Sequence, residues 1–366
     1  MTIATSCSGT PGRSVDEGEQ PRTDDVAPST AAPHGLARDH IPQFVGIGWD
    51  DNGDPEGVRW ALRVHKREAS HASFFVNSIY GTSDAVKQAW LEALADGHEI
   101  GNHTAGHLSS QSGHPFTVEQ WQAEIQACTD FLLSSGVMQA TELRGFRAPY
   151  LEYDDETLTA IQALGFHYDC SIEEGHEEEQ DGSNYYWPYT LGHASPGHTF
   201  RVQRTLPPHS VRELSAHPGL WELPVYALIA PPDGRCAEYG IAAGFRQRLE
   251  RRQPVFFNAA NGKIVGFDYN LWAPVADEGL ALTQPEFLAV VKYSFDQHYA
   301  GNRAPFLLGA HTAYYVDSWN RNAPGTPLAA DRRAAFEELL AYAASKSGVR
   351  VVSHRELLDW LRCPNS

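Results

Sequence analysis

The 366-residue chain contains no run of about 20 apolar residues, the length a helix needs to cross a bilayer. A transmembrane helix is therefore not expected. The first residues, Met1-Thr2-Ile3-Ala4-Thr5-Ser6-Cys7, carry neither a basic segment nor an apolar stretch, so as they stand they do not read as a signal peptide. Cysteine is sparse. Cys7, Cys128, Cys170, Cys236 and Cys363 show no CxxC spacing, which argues against a structural zinc ribbon and a thioredoxin-type pair. Buried free thiols are the plain reading of Cys128 and Cys170, and a Cys236–Cys363 bridge is one pairing that the remaining cysteines allow. Basic residues are also in short supply, with 28 Lys and Arg against 46 Asp and Glu, a net charge of -18 and a pI near 5.3. Such a field repels phosphate backbones and anionic membrane surfaces, so nucleic acid is not expected as a partner and the substrate should be neutral or cationic. No internal repeat of fixed period is found.

What is present is a large apolar fraction, 42% with 11% aromatics, enough for a single barrel of about 250 to 320 residues. Residues 1–40 are rich in Ser, Thr, Pro, Gly, Asp and Glu and have few large apolar side chains, so they are expected to form a flexible leader. From residue 41 to 366, strand-length apolar runs alternate with helix-period segments, the pattern of a parallel sheet with crossover helices. Candidate strands lie at 44–49, 72–76, 98–102, 142–146, 167–172, 221–226, 305–310 and 349–352. The fold class is therefore α/β, a distorted (β/α) barrel of about seven to eight parallel strands with long inserted loops. Helix starts are marked by Asp84, by Thr117 with Gln120 as a capping box, and by Asp154, while Gly97 and Gly165 mark ends. Irregular insertions are expected near 173–217 and 231–285.

Four short segments follow candidate strands and so share the rim where barrel chemistry sits. They are Trp49-Asp50-Asp51, His103-Thr104-Ala105-Gly106-His107, Arg147-Ala148-Pro149-Tyr150 and Leu308-Gly309-Ala310-His311. Asp51, His103 and His107 would supply a carboxylate and two imidazoles to one Zn²⁺ or another divalent transition metal, leaving an open position. A surface His pair and a solvated Asp-Asp-Asn-Gly-Asp turn are the competing readings. Asp50 would then be free to take a proton from water, with Arg147 holding it ionised. Tyr150 would offer its main-chain N–H to a developing oxyanion, and His311 would protonate a leaving amine unless it is a satisfied structural histidine.

These segments resemble the motifs of the carbohydrate esterase family 4 polysaccharide deacetylases, the NodB-homology family. Phe166-His-Tyr-Asp-Cys-Ser-Ile172, Trp187-Pro-Tyr-Thr-Leu191, Trp221-Glu-Leu-Pro224 and the run from His298 to Pro305 are further similar to insect-type chitin deacetylases. The resemblance implies a metal-dependent amide hydrolase that removes acetyl groups from N-acetylglucosamine units, with Asp50 as base, Asp51, His103 and His107 as ligands, Arg147 as orienting cation, Tyr150 as oxyanion donor and His311 as acid. Gly48-Trp49 departs from the family's usual Thr-Phe and is expected to alter the floor of the site. The family often pairs its acidic His with an Asp from a separate motif, and Glu222 and Asp268 are the candidates here.

Sugar rings expose C–H faces that stack on aromatic side chains, which makes Trp187, then Trp272, with Trp221 and Leu308, the expected substrate contacts, against a packing role for the same residues. The expected partner is chitin or an N-acetylglucosamine oligosaccharide, acted on by a monomer. Because of that substrate, the protein is expected to be secreted or at the cell surface, although no export signal is present. A sugar-binding protein that has lost turnover, and a deacetylase of peptidoglycan or acetyl xylan, are the alternatives.

Overall fold

A parallel strand covered on both faces needs a nearly continuous apolar run, and such runs place most of the sheet. The computed structural model describes residues 25–110, 115–139, 142–204, 212–319 and 325–364. Nine strands form its main sheet: β1 Gln43–Asp50, β2 Ser73–Val76, β3 Glu99–Asn102, β4 Gly145–Phe146, β5 Tyr168–Asp169, β6 Tyr189–Thr190, β7 Trp221–Glu222, β8 Phe306–His311 and β9 Val349–Val352. Their order is β8-β1-β2-β3-β4-β5-β7-β6, with β9 also on β1. All eight expected strands are present and parallel, and the sheet curls into an open, distorted (β/α) barrel. The unanticipated ninth, β6, runs antiparallel to β7 at the edge.

β1 organises the sheet. One of its edges carries β8 from Val45↔Phe306 to Asp50↔His311, and the other carries β9 at its start and β2 at its end. All eight of its residues are buried. Alternation along the strand sends Trp49 to the helical side, where its ring packs against Trp60, Phe74, Tyr315 and Phe336. Trp49 therefore does not floor the site. That position belongs to Gly48 and Asp50.

The helix signals correspond to real caps. Asp54 accepts from the amides of Glu56 and Gly57, Thr117 and Gln120 form the anticipated capping box, and Asp154 caps Asp155–Ala163. The insertions contain local order. Glu173–Glu174 pairs with Val225–Tyr226, Leu228–Ile229 pairs with Lys263–Ile264, and Pro196–Arg204, Phe245–Arg252 and Asp268–Trp272 are helical.

Two expectations are corrected. Residues 25–40 are docked on the barrel, since Thr190 N–H donates to Val26 O (2.9 Å), Trp187 N–H to Ser29 O (2.9 Å) and the Asn302 side chain to Thr30 O (2.8 Å). Main-chain hydrogen bonds hold this segment, and a count of apolar residues does not register them. The rest of the leader, residues 1–24, lies outside the described residues. Cys236 is a buried free thiol, so it makes no bridge to Cys363, while Cys128 and Cys170 are buried and free as expected.

Asn302 also donates to Tyr185 O (2.7 Å) and accepts from Ala304 N–H, so it ties the leader to an insertion. Asn302→Ala should lower stability by about 1–3 kcal/mol. Amide exchange at Trp187 and Thr190 should also accelerate, and unchanged exchange there would show that the leader is held by something else.

Candidate metal centre and active site

The carboxyl end of β1 turns sharply after Asp50. Asp51 and Asn52 take left-handed φ values of 66° and 58°, and Asn52 is fully buried. Its amide donates to Trp49 O (2.7 Å) and Phe75 O (3.0 Å), and its oxygen accepts from Thr312. Trp90 donates to its carbonyl. This is not the solvated turn offered by composition. Among the described residues eleven non-glycine residues have positive φ, and six of them lie on three of the four rim segments (Asp51, Thr104, His107 and Tyr150) or directly after one (Asn52 and Leu151). Such conformations cost free energy and persist where the surroundings enforce them, as at functional sites.

Asp51, His103 and His107 meet there, with one potential ligand atom from each lying within 4.8 Å of the others. Asp51 Oδ1 is 3.3 Å from His107 Nε2 and 3.9 Å from His103 Nε2. His103 Nδ1 lies 2.7 Å from Arg147 O, an acceptor that requires a proton on Nδ1 and leaves Nε2 bare toward Asp51. Burial pushes the His103 imidazole down to about 3, which keeps it neutral and fit to ligate. Asp51 Oδ1 is buried yet accepts no hydrogen bond. A bare imidazole nitrogen beside an orphaned carboxylate oxygen suits a borderline divalent cation, so the donor set fits the metal implied by the motifs.

Arg147 ties the parts together. It is 2% exposed, and its Nη1 donates to Asp50 Oδ1 at 2.7 Å while Nε donates to Cys170 O at 3.0 Å. The rings of Phe75 and Phe267 lie 4.5 and 5.2 Å from the guanidinium carbon. Burial opposes its charge, but Asp50, with contributions from Cys170 and Tyr168, outweighs that and raises the guanidinium above its ordinary range. A Cβ at Gly48 would fall 2.6 Å from Nη1, so the departure Gly48 is the space that the arginine occupies.

His311 ends β8, and its carboxylate partner is Asp268. Asp268 is fully buried, with Oδ1 2.8 Å from His311 Nδ1 and Oδ2 accepting from the His311 N–H at 2.9 Å. A parallel bridge between Phe267 and Gly309 delivers Asp268 to this position. Burial alone would lower the His311 pKa. The charge of Asp268 and its hydrogen bond, with smaller contributions from Asp51 and Asp50, together outweigh it and lift the imidazole to about 9. Glu222, the other candidate, instead accepts from Ile172 N–H.

Tyr150 is 62% exposed, and its ring lies 4.5 Å from that of His107, one of the candidate ligands. The expected sugar contacts are elsewhere. Trp187, Trp221, Trp272 and Leu308 are 3%, 6%, 0% and 1% exposed and belong to the hydrophobic core. Trp272 stacks on Phe287 at 4.2 Å, and Trp187 lies against Trp360. The insertions fold back on the barrel and bury their aromatics to do so. Exposed apolar side chains at the rim are instead Ile79, Tyr80, Leu108 and Tyr150. Tyr80 packs over Gly53, where a Cβ would approach its ring to 2.7 Å, and Ile79 N–H donates to Ala105 O. The signal available for Tyr80 was its position just after β2, the same rule that singled out the four motifs.

Two substitutions test this electrostatic arrangement. Arg147→Met leaves Asp50 buried and uncompensated, and denaturant unfolding should show a loss of about 3–5 kcal/mol. Asp268→Asn removes the charge that raises His311 and leaves burial, which lowers it, so the imidazole must release its proton at lower pH. An NMR titration of the metal-free protein should place His311 near 9 in the wild type and clearly lower in the variant. Equal values would contradict the pairing.

The polysaccharide deacetylase family profile matches residues 37–168, the segment that holds β1 to β4, the Asp pair, both histidines, Arg147 and Tyr150. Chitin deacetylase 8 of Bombyx mori is 22% identical over 345 residues, covering 92% of this chain and 74% of that protein. A chitooligosaccharide deacetylase of Azorhizobium caulinodans is 26% identical over 121 residues, 33% of this chain and 54% of that protein, so the match spans about half of the relative's length. In overall fold the chain is similar to a candidate polysaccharide deacetylase from Mycobacterium smegmatis, with a TM-score of 0.57 at 15% identity over 93% of this chain and 96% of that one. Residues 37–168 thus match the polysaccharide deacetylase domain, and over most of its length the chain is similar to a chitin deacetylase.

Proposed function

We propose that the protein is a metal-dependent deacetylase that hydrolyses N-acetyl groups of N-acetylglucosamine units in chitin or its oligosaccharides. The observation that carries this reading is the His311–Asp268 contact, because a proton donor paired with a buried carboxylate beside Asp50 and the ligand triad completes an acid and a base. A His311 provided with its carboxylate partner also favours turnover over a sugar-binding protein that has lost it.

Asp51, His103 and His107 would hold the metal, with Zn²⁺ the first choice for this N₂O donor set. When bound, the ion supplies Lewis-acid polarisation and lowers the pKa of water. Asp50, held in place by Arg147, accepts a proton as water adds to the acetamide carbonyl carbon. The Tyr150 N–H offers a hydrogen bond to the oxygen on which charge develops. His311 gives a proton to the nitrogen as the C–N bond breaks, which yields acetate and a free amine. Protonated at neutral pH, it is ready for that role. Tyr80 and Tyr150 offer the apolar faces on which a pyranose ring stacks beside the acetamide. Secretion or display at the cell surface and a monomeric state belong to the same proposal, since the substrate is a polymer outside the cell.

Acetate release from chitin oligomers tests the reading. Wild-type protein should release acetate, lose activity on chelation and regain it with Zn²⁺, while Asp50→Asn should fall by about 10²-fold or more. Oligomer binding without acetate release by the zinc-loaded wild type would overturn it, as would acetyl xylan turning over far faster than any chitin oligomer.

A further inference from the structure

β8 ends at His311, and the next four residues, Thr312–Tyr315, form a 3-10 helix. That tight turn brings side chains three positions apart over one another, so residue 314 falls on residue 311. The Tyr314 ring accordingly lies on the His311 imidazole, with centroids 4.4 Å apart and planes 22° from parallel. Trp319 repeats the arrangement behind it, 4.2 Å from Tyr314 at the same 22°. The guanidinium carbon of Arg332 lies 4.7 Å from the Trp319 ring and closes the stack.

Arg332 comes from the helix Ala329–Ala344 and is 2% exposed. Its Nε donates to Tyr314 O and its Nη2 to Val316 O, so the side chain that ends the stack also fixes the main chain on which the stack is built. His311 is therefore held by two different means. Asp268 accepts at Nδ1 on the edge of the ring, and Tyr314 lies along its face. A hydrogen bond at one nitrogen leaves an imidazole free to tilt about that contact, whereas a ring lying flat on it opposes the tilt. The charged groups that face His311 are the carboxylates of Asp268, Asp51 and Asp50, and the electron-rich face of a phenol ring adds a further attraction for an imidazolium.

We propose that Tyr314, backed by Trp319 and Arg332, is a positioning residue for the deacetylation, its ring keeping His311 in the orientation that aims Nε2 at the departing nitrogen and stabilising the imidazolium from one face. The inference rests on the reading of His311 as the acid and adds that Asp268 alone does not set it. A side chain at 314 without a π face should leave substrate binding intact and slow the protonation of the amine.

Three replacements separate these effects. Tyr314→Leu removes the ring, Tyr314→Phe keeps it, and pentafluorophenylalanine in place of Tyr314 keeps its shape but reverses the polarity of its face. Zinc-loaded protein is assayed for acetate release from a chitin hexasaccharide, and the full chain without added metal is titrated by NMR. Tyr314→Leu should lower kcat about tenfold with KM unchanged. His311 should titrate about 1 pH unit lower in Tyr314→Leu and in the fluorinated protein, while Tyr314→Phe restores both properties. Melting temperatures report any loss of packing separately. Wild-type kcat and His311 titration in both the leucine and the fluorinated proteins overturn the proposal, as does a loss carried by KM with the titration unchanged, which makes Tyr314 a sugar contact. If the wild type releases no acetate, the deacetylase reading itself fails. The titration still decides the stack in that case, since an unchanged His311 in the fluorinated protein overturns it.

Discussion

The site depends on one buried positive charge. The Arg147 side chain fixes the carboxylate of Asp50, its carbonyl fixes the tautomer of His103, and its N–H donates to Asn102 O at the end of β3. The Asp50 carboxylate and the His103 ring are therefore oriented by two ends of one residue. A guanidinium is suited to this place because it stays protonated when buried and offers several donors in one plane, against which Phe75 and Phe267 lie. Without the Asp50 carboxylate, burying such a cation would be prohibitive, and the reverse holds equally.

A second layer of support is polar and fully buried. Asn52 satisfies three backbone carbonyl or hydroxyl partners while holding a left-handed turn, and the side chain of Asn77 donates to His103 O. These residues touch no metal ligand atom, yet they set the direction in which Asp51 and His103 leave their strands. Rigid attachment to strand ends is what permits a site to be assembled from residues more than 250 positions apart. Asp268 shows the same logic from an insertion, since one bridge between Phe267 and Gly309 is enough to carry it to His311.

Much of this was legible in the sequence, and for identifiable reasons. Strands such as β1 and β8 are continuous apolar runs that end in charged or imidazole side chains, so fold and chemistry are written in the same stretch. β6 was hidden because two residues in a segment rich in Gly, Pro and His carry no periodicity. The docking of residues 25–40 depends on main-chain donors and acceptors, which every sequence has. Trp187 and Trp272 were misplaced because an aromatic in an insertion looks the same whether it faces sugar or core. Asp268 was one of two candidates because its selection over Glu222 depends on a long-range bridge that local patterns do not encode.

Gly48 and Arg147 lie 99 positions apart and share a single volume in the barrel interior. The glycine has no side chain because the arginine's head lies where one would begin. A larger residue at 48 would require the guanidinium to shift, and with it the Asp50 carboxylate that it holds.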